Sequence, residues 1–368
     1  MERVRNRIDY ELLIYFAGLL CFGLLALSSA SVAIGMRKFG SPYYFLNHQL
    51  IYGVAPGLVL FFVFLKIDTE RLKRWKNSIY FLTLLLLTMV FIPGVGASYG
   101  MGARSWVNLF GLSFQPGEIA KLTLVIFLAA YLAEIGNKLL DFKNGFLPAL
   151  GLGALPILLD AAQPDTGTAA ILFAITLGLL FFARARLTHL SLLLVAGALG
   201  LLVLVLIAPY RMNRLTTFLH PELDPQGKGY QINQAFMAIG SGGFFGLGLG
   251  QSRQKFEYLP EVQADSIYAI ISEEMGFLFS AALIILILLI VRRCLRLAKK
   301  NNDRFSQLLI CGISVWFFGQ SVLNIGAIIG LLPLTGVPLP FVSHGGTALM
   351  VNMAAVGLLL NLSARGDS

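Results

Sequence analysis

The chain has 368 residues, 57% of them hydrophobic and 13% charged, with a mean hydropathy of +0.77. A soluble domain carries about 25% charged residues, so the composition excludes an ordinary soluble enzyme and points to an all-α polytopic membrane protein, one integral membrane domain over 1–368. The net charge of +9 would suit a nucleic-acid binder, but the basic residues are distributed as membrane topology distributes them.

Spans need about 20 mostly apolar residues. Ten segments qualify: 12–34, 47–66, 78–95, 118–136, 146–162, 167–184, 188–208, 267–291, 307–331 and 346–363. The basic start MERVRNR looks like a signal peptide, but the apolar run after it continues to about Ile34 and reads as a retained first span. The fifth segment is short and carries Pro156, which predicts a tilted or broken helix. Ten spans put both termini on one side. Of the 28 Lys and Arg, 19 fall on that side, in clusters at Arg3/Arg5/Arg7, 66–76, Lys138/Lys143, Arg184/Arg186 and 292–304. The positive-inside rule therefore places both termini in the cytoplasm. Cys21, Cys294 and Cys311 lie in or beside apolar runs without ligand spacing and read as small apolar residues.

Polar motifs gather on the other side: GARSWVNLFGLSFQPGEIAKL (102–122), AAQPDTGTA (161–169), a long segment at 209–266 between spans seven and eight, and PLTGVPLPFVSHGG (333–346). Irregular backbone at membrane depth needs protein or a watery cavity around it, so these segments are expected to line one outer cavity. In YLPEVQADSIYAIISEEMGF (258–277), Glu261 is a loop acid and Asp265 precedes a long apolar helix. Asp265 reads either as a helix cap, worth about 1 kcal/mol, or as a chemical group. Glu273 and Glu274 lie roughly 12 Å further along the axis and read as buried polar pins. Glu118 and Lys121, at i and i+3, form a local ion pair or an anion contact. Arg104 with Trp106 is an interfacial pair or a diphosphate and sugar contact. Arg211, Arg214, Lys228, Arg253 and Lys255 are cations where topology does not ask for them, and suit an anionic headgroup. GSGGFFGLGLG looks like a phosphate loop but lacks the GK[ST] ending; its glycines are expected to allow close packing or a re-entrant turn. Ser343 and His344 are expected to sit where the chain breaks before the last span.

In their order and spacing, GARSWVNL…FQPGEIAKL, QPDTGTA, DPQGKGYQINQAFMAIGSGGFFGLGLGQSRQKFEYLPE and NIGAIIGLLPLTGVPLPFVSHGG resemble the shape, elongation, division and sporulation family. GLGQSRQKFEYLPE is more similar to the cell-division branch than to the elongation branch. The resemblance covers nearly the whole chain. It implies a ten-helix glycosyltransferase of the bacterial inner membrane that polymerises lipid II, an undecaprenyl-diphosphate-linked disaccharide-pentapeptide. It also implies a class B penicillin-binding protein, a transpeptidase, and other divisome proteins as partners at the septum. The family's essential acid maps to Asp265, and its outer-loop Trp, Glu and Lys map to Trp106, Glu118 and Lys121. Gln263-Ala264 replaces the usual His-Thr, Gly117 a Ser, and His344 a Tyr, which leaves open the roles of those side chains.

Asp265 is thus expected to act as general base on the attacking sugar 4-hydroxyl. Arg104, Trp106, Glu118, Lys121, Arg211, Arg214, Arg253, Lys255, Ser343 and His344 are the substrate-facing candidates. No motif demands a metal; a divalent cation such as Mg²⁺ on the diphosphate is compatible with the set. The competing expectations are a lipid II flippase, a polymerase of the family's cell-elongation branch, and a scaffold for the transpeptidase. Polar residues crowded at one face favour chemistry there.

Overall fold

Asp9, Asp165 and Asp303 each precede a helix and accept a hydrogen bond from the N–H three residues on, from Leu12, Thr168 and Ser306, all at 3.0 Å. They satisfy donors that a first helical turn leaves open. The computed structural model describes residues 8–97, 105–109, 111–207, 209–221, 224, 227–256 and 258–365. Their helices are α1 (Tyr10–Ala30), α2 (Val32–Phe39), α3 (Tyr44–Gln49), α4 (Ala55–Lys66), α5 (Thr69–Arg74), α6 (Lys76–Met89), α7 (Pro116–Ile135), α8 (Leu147–Ala162), α9 (Thr166–Phe182), α10 (Leu187–Ile207), α11 (Pro209–Leu219), α12 (Lys228–Gly242), α13 (Ile267–Lys300), α14 (Arg304–Ile328) and α15 (Gly346–Arg365).

Among the described residues, seven helical segments are long and apolar enough to cross a membrane: Tyr10–Ala30, Tyr44–Lys66, Pro116–Leu140, Phe142–Ala162, Ile267–Lys300, Arg304–Ile328 and Gly346–Ala364. Three shorter apolar helices, Lys76–Met89, Thr166–Phe182 and Leu187–Gly200, fall on the third, sixth and seventh spans expected from sequence. Of the tilted or broken helix expected at Pro156, the break does not occur: α8 runs through it. A π turn over Phe142–Phe146 leads into it, started by the Asp141 carboxylate, which accepts from the N–H groups of Lys143 and Asn144 at 2.8 and 3.1 Å.

The core lies around α7, α14 and α15. Residues 351–363 of α15 are buried on every side, as an all-round apolar helix requires. α15 packs against α4 and α7, and α14 against α7 and α9. Gly357 permits the α4 contact: a Cβ there would lie 2.3 Å from the Phe61 carbonyl oxygen.

Two features depart from an all-α reading with a long loop. The segment before α7 forms a small antiparallel sheet, β1 (Gly96–Ala97), β2 (Trp106–Leu109) and β3 (Leu112–Phe114), with Val107 opposite Phe114 and Asn108 opposite Ser113. The segment at 209–266 is also half helical. α12 buries Ile232, Ala235 and Ala238, three residues apart on one face, and packs against α13.

α13 is interrupted at Gly276, whose φ of 75° and ψ of −174° lie outside helical space and favour glycine. The glycine-rich turn at 243–248 is stitched into that break. Leu247 N–H donates to the Glu273 carbonyl at 3.0 Å and Gly248 N–H to Glu274 at 2.9 Å. In return, Phe277 N–H donates to Gly243 at 2.9 Å and Leu278 N–H to Phe244 at 3.2 Å. Backbone groups freed inside a membrane helix are thereby satisfied. The phosphate-loop-like run GSGGFFGLGLG is a structural stitch.

Candidate active site

The segment leading into α13, residues 263–266, is held by hydrogen bonds from three directions, two of them to its main chain. Ser343 Oγ donates to the Ala264 carbonyl at 2.5 Å, and His344 N–H to the Gln263 carbonyl at 2.8 Å. Asn324 Nδ2 donates both to the Asp265 carbonyl at 2.9 Å and to Val337 at 2.8 Å. Gln231 Nε2 of α12 donates to Ser266 Oγ at 2.9 Å and lies 3.5 Å from Asp265 Oδ1. The Asp265 side chain is 8% exposed and its Oδ2 faces Gly336, where a Cβ would come to 4.0 Å. The N-cap position of α13 is Ser266, whose side chain makes no capping hydrogen bond, so Asp265 stands one residue before the cap.

Asn324 is one of two amides, four residues apart on α14, that hold the 333–345 segment. The other, Gln320, donates to the Pro338 carbonyl at 2.8 Å and accepts from Lys121 Nζ at 2.8 Å and Trp316 Nε1 at 2.7 Å. Lys121 also pairs with Glu118 at 2.6 Å, both side chains all but fully buried, and lies 5.4 Å from the Trp316 ring centroid. A continuous polar path thus runs from Glu118 through Lys121, Gln320 and the 337–338 backbone to Asn324 and Asp265. Neither Gln320 nor Asn324 emerges from reading 307–331 as a span, although two amides at i and i+4 in an apolar run were the available signal.

The other end of the 333–345 segment is held by α3. Gly345 N–H donates to Gln49 Oε1 at 2.9 Å, and His344 Nε2 lies 3.2 Å from His48 Nδ1. The QPDT segment joins through Gln115 Nε2, which donates to Asp165 Oδ2 at 2.9 Å, and Gln115 N–H contacts Thr347 Oγ1 at 3.4 Å.

The predicted cations divide. Lys255 turns inward and pairs with Glu274 at 2.8 Å, 4% exposed, also donating to the Gly250 carbonyl at 2.7 Å; this geometry makes it structural, against its expected role as a headgroup contact. Lys121 is likewise enclosed. Arg253 has an exposed side chain while its N–H donates to Glu273 Oε1 at 2.9 Å. Arg104 lies outside the described residues, as do the side chains of Arg211, Arg214 and Lys228, whose backbones lie in α11 and α12. Trp106 sits on β2, partly buried, opposite Ala97.

Glu273 and Glu274 are buried polar pins, Glu273 holding a loop and Glu274 holding both that loop and α1. Glu273 accepts from Ser252 Oγ at 2.5 Å as well as from Arg253 N–H, and Glu274 Oε2 accepts from Ser29 Oγ of α1 at 2.6 Å. Glu261 is exposed, with a φ of 52°. No three His, Cys, Asp or Glu side chains among the described residues converge as a metal-ligand group.

These features define a multi-pass membrane protein with a strapped polar site at one mouth of its helix bundle. The chain belongs to the cell cycle protein family of FtsW, RodA and SpoVE, whose family model it matches over residues 10–367. It is 39% identical over 363 residues to stage V sporulation protein E of Bacillus subtilis (strain 168), covering 99% of each chain. It is 36% identical over 365 residues to the probable peptidoglycan glycosyltransferase FtsW of Geobacter sp. (strain M18), again covering 99% of each. Among solved structures it resembles a chain of a peptidoglycan synthase complex that coordinates polymerization and crosslinking, with a TM-score of 0.80, 28% identity and 98% coverage of both. It also resembles the rod shape determining protein RodA of Thermus thermophilus, with a TM-score of 0.70, 26% identity and 97% coverage of both.

Proposed function

We propose that this chain is a peptidoglycan glycosyltransferase that polymerises lipid II at the outer face of the bacterial inner membrane during cell division, with Asp265 as general base. Full-length similarity to proteins named as FtsW glycosyltransferases supports the activity. The observation that carries the residue assignment is the clamp on 263–266: three successive carbonyls, of Gln263, Ala264 and Asp265, each accept from the segment formed by α14 and 333–344. A base fixed through its own main chain keeps its carboxylate in place while a substrate moves, which is what positioned proton transfer requires.

In this reading Asp265 takes the proton from the 4-hydroxyl of an acceptor sugar. That oxygen attacks the anomeric carbon of a donor sugar, and undecaprenyl diphosphate leaves. Exposed Arg253 and the cations of α11, Arg211 and Arg214, stand as the groups to meet the developing diphosphate charge, with Arg104 and Trp106 contributing from the outer segment before α7. Glu118 and Lys121 act behind them, by holding Gln320 and hence the 337–338 backbone. Ser343 and His344 position the clamp. A divalent cation, where used, would arrive with the diphosphate.

The chain would cross the membrane ten times with both termini cytoplasmic, the three shorter apolar helices completing the seven long ones. Its partners would be a class B penicillin-binding protein and other division proteins. The test is polymerisation of labelled lipid II by purified protein with its transpeptidase. Asp265→Asn should lower the rate by about 10²–10⁴-fold with unchanged thermal unfolding. A folded variant working at the wild-type rate would remove Asp265 from the chemistry.

A further inference from the structure

The far end of α13 carries a feature that the glycan chemistry does not use. Beyond the break at Gly276 the helix runs unbroken from 277 to Lys300, about 36 Å at 1.5 Å per residue, against a hydrocarbon core of about 30 Å. Its last turns therefore stand at and beyond the membrane interface. There Leu288, Val291, Arg292, Leu295, Arg296 and Lys299 line one groove of about 400 Å³. Leu288 and Leu295 are 47% and 38% exposed, and the three cations are exposed as well.

The nearest acids are already engaged. Arg293, on a neighbouring face, pairs with Asp9 at 2.8 Å and Glu11 at 2.5 Å. Arg292, Arg296 and Lys299 form no ion pair with any described residue. The groove thus has an apolar floor facing the lipid side and a rim of three cations, within two helical turns, that have no acidic partner among the described residues.

We propose that this groove binds an anionic phospholipid, its phosphate held by Arg292, Arg296 and Lys299 and its upper acyl chain lying on Leu288, Val291 and Leu295. Charge complementarity selects this occupant. An apolar membrane helix of a partner would cover the leucines but leave three cations unanswered, whereas a phosphodiester on a hydrocarbon chain answers both halves. Basic groups at a membrane surface each contribute about fivefold in affinity for anionic lipid, so three supply about a hundredfold.

The experiment is native mass spectrometry of the purified full-length protein, titrated with phosphatidylglycerol, with phosphatidylcholine of the same acyl chains, and with soluble glycerophosphoglycerol. The wild type should retain phosphatidylglycerol at least tenfold better than phosphatidylcholine, and the soluble headgroup should not compete at equal concentration. The combined variant Arg292→Gln, Arg296→Gln, Lys299→Gln should lose that preference, while Lys138→Gln with Lys143→Gln, at another interfacial loop, should keep it. Unchanged thermal unfolding of the triple variant checks its fold. Leu295→Gln alone should lower phosphatidylglycerol retention without restoring competition by the headgroup. Undiminished preference in the folded triple variant would overturn the proposal. So would equal loss in the control variant, or displacement of the lipid by a peptide copying the transpeptidase's membrane segment.

Discussion

Lys121 and Glu118 show how little a surface description says about this site. Both side chains are essentially sealed from solvent, so either charge alone would be stranded in a low-dielectric interior. Lys121→Met is expected to cost about 3–5 kcal/mol of stability, and adding Glu118→Gln should recover most of that loss; unfolding of the two variants side by side measures it. His344 makes a prediction in pH. Burial, reinforced by the adjacent His48, pushes its imidazole down to about 4, while an unfolded chain titrates near 6.5. Between those values the unfolded state binds more protons, so the stabilisation present above about pH 6.5 is lost as pH falls toward 4. Melting curves from pH 7 to pH 4 should show that slope, and His344→Gln should flatten it. The place of Asp265 just before a long helix was legible in the sequence, whereas the chemical role expected of it came from the family resemblance. The burial of Lys255 is not legible in the sequence because its counter-ion, Glu274, lies 19 residues on, across a turn that no periodicity reveals.

At the level of elements, sequence hydropathy located the helices well because a bilayer sorts residues by length and polarity alone. It missed what happens inside one of them. The break at Gly276 depends on a particular turn, 243–248, arriving with the right N–H and carbonyl groups, and hydropathy is blind to backbone pairing. A Cβ at Gly276 would lie 2.3 Å from the Gly246 nitrogen, on a backbone with positive φ. Gly276→Ala should therefore lower the melting temperature by more than a surface substitution on the same helix. Faster hydrogen exchange at Leu247 and Gly248 should accompany it, since their partners are the carbonyls just before the break.

Across the whole molecule, the site is assembled from segments far apart in sequence: 115–121, 160–168, 259–266 and 333–347 meet through α14 and α3. Span counting could place these segments at one mouth but not decide which side chains would face a substrate and which would bind the protein to itself. The structure assigns Lys121, Gln320, Asn324, Lys255, Glu273 and Glu274 to the second group. The stitched seam of α13 also fixes a length. Its four backbone bonds join residues 243, 244, 247 and 248 to residues 277, 278, 273 and 274, so the turn works as a ruler cut to size. Removing or adding one residue between Gly243 and Gly248 would shift donors out of register with acceptors. This stretch should therefore tolerate side-chain exchange far better than any change in the number of its residues.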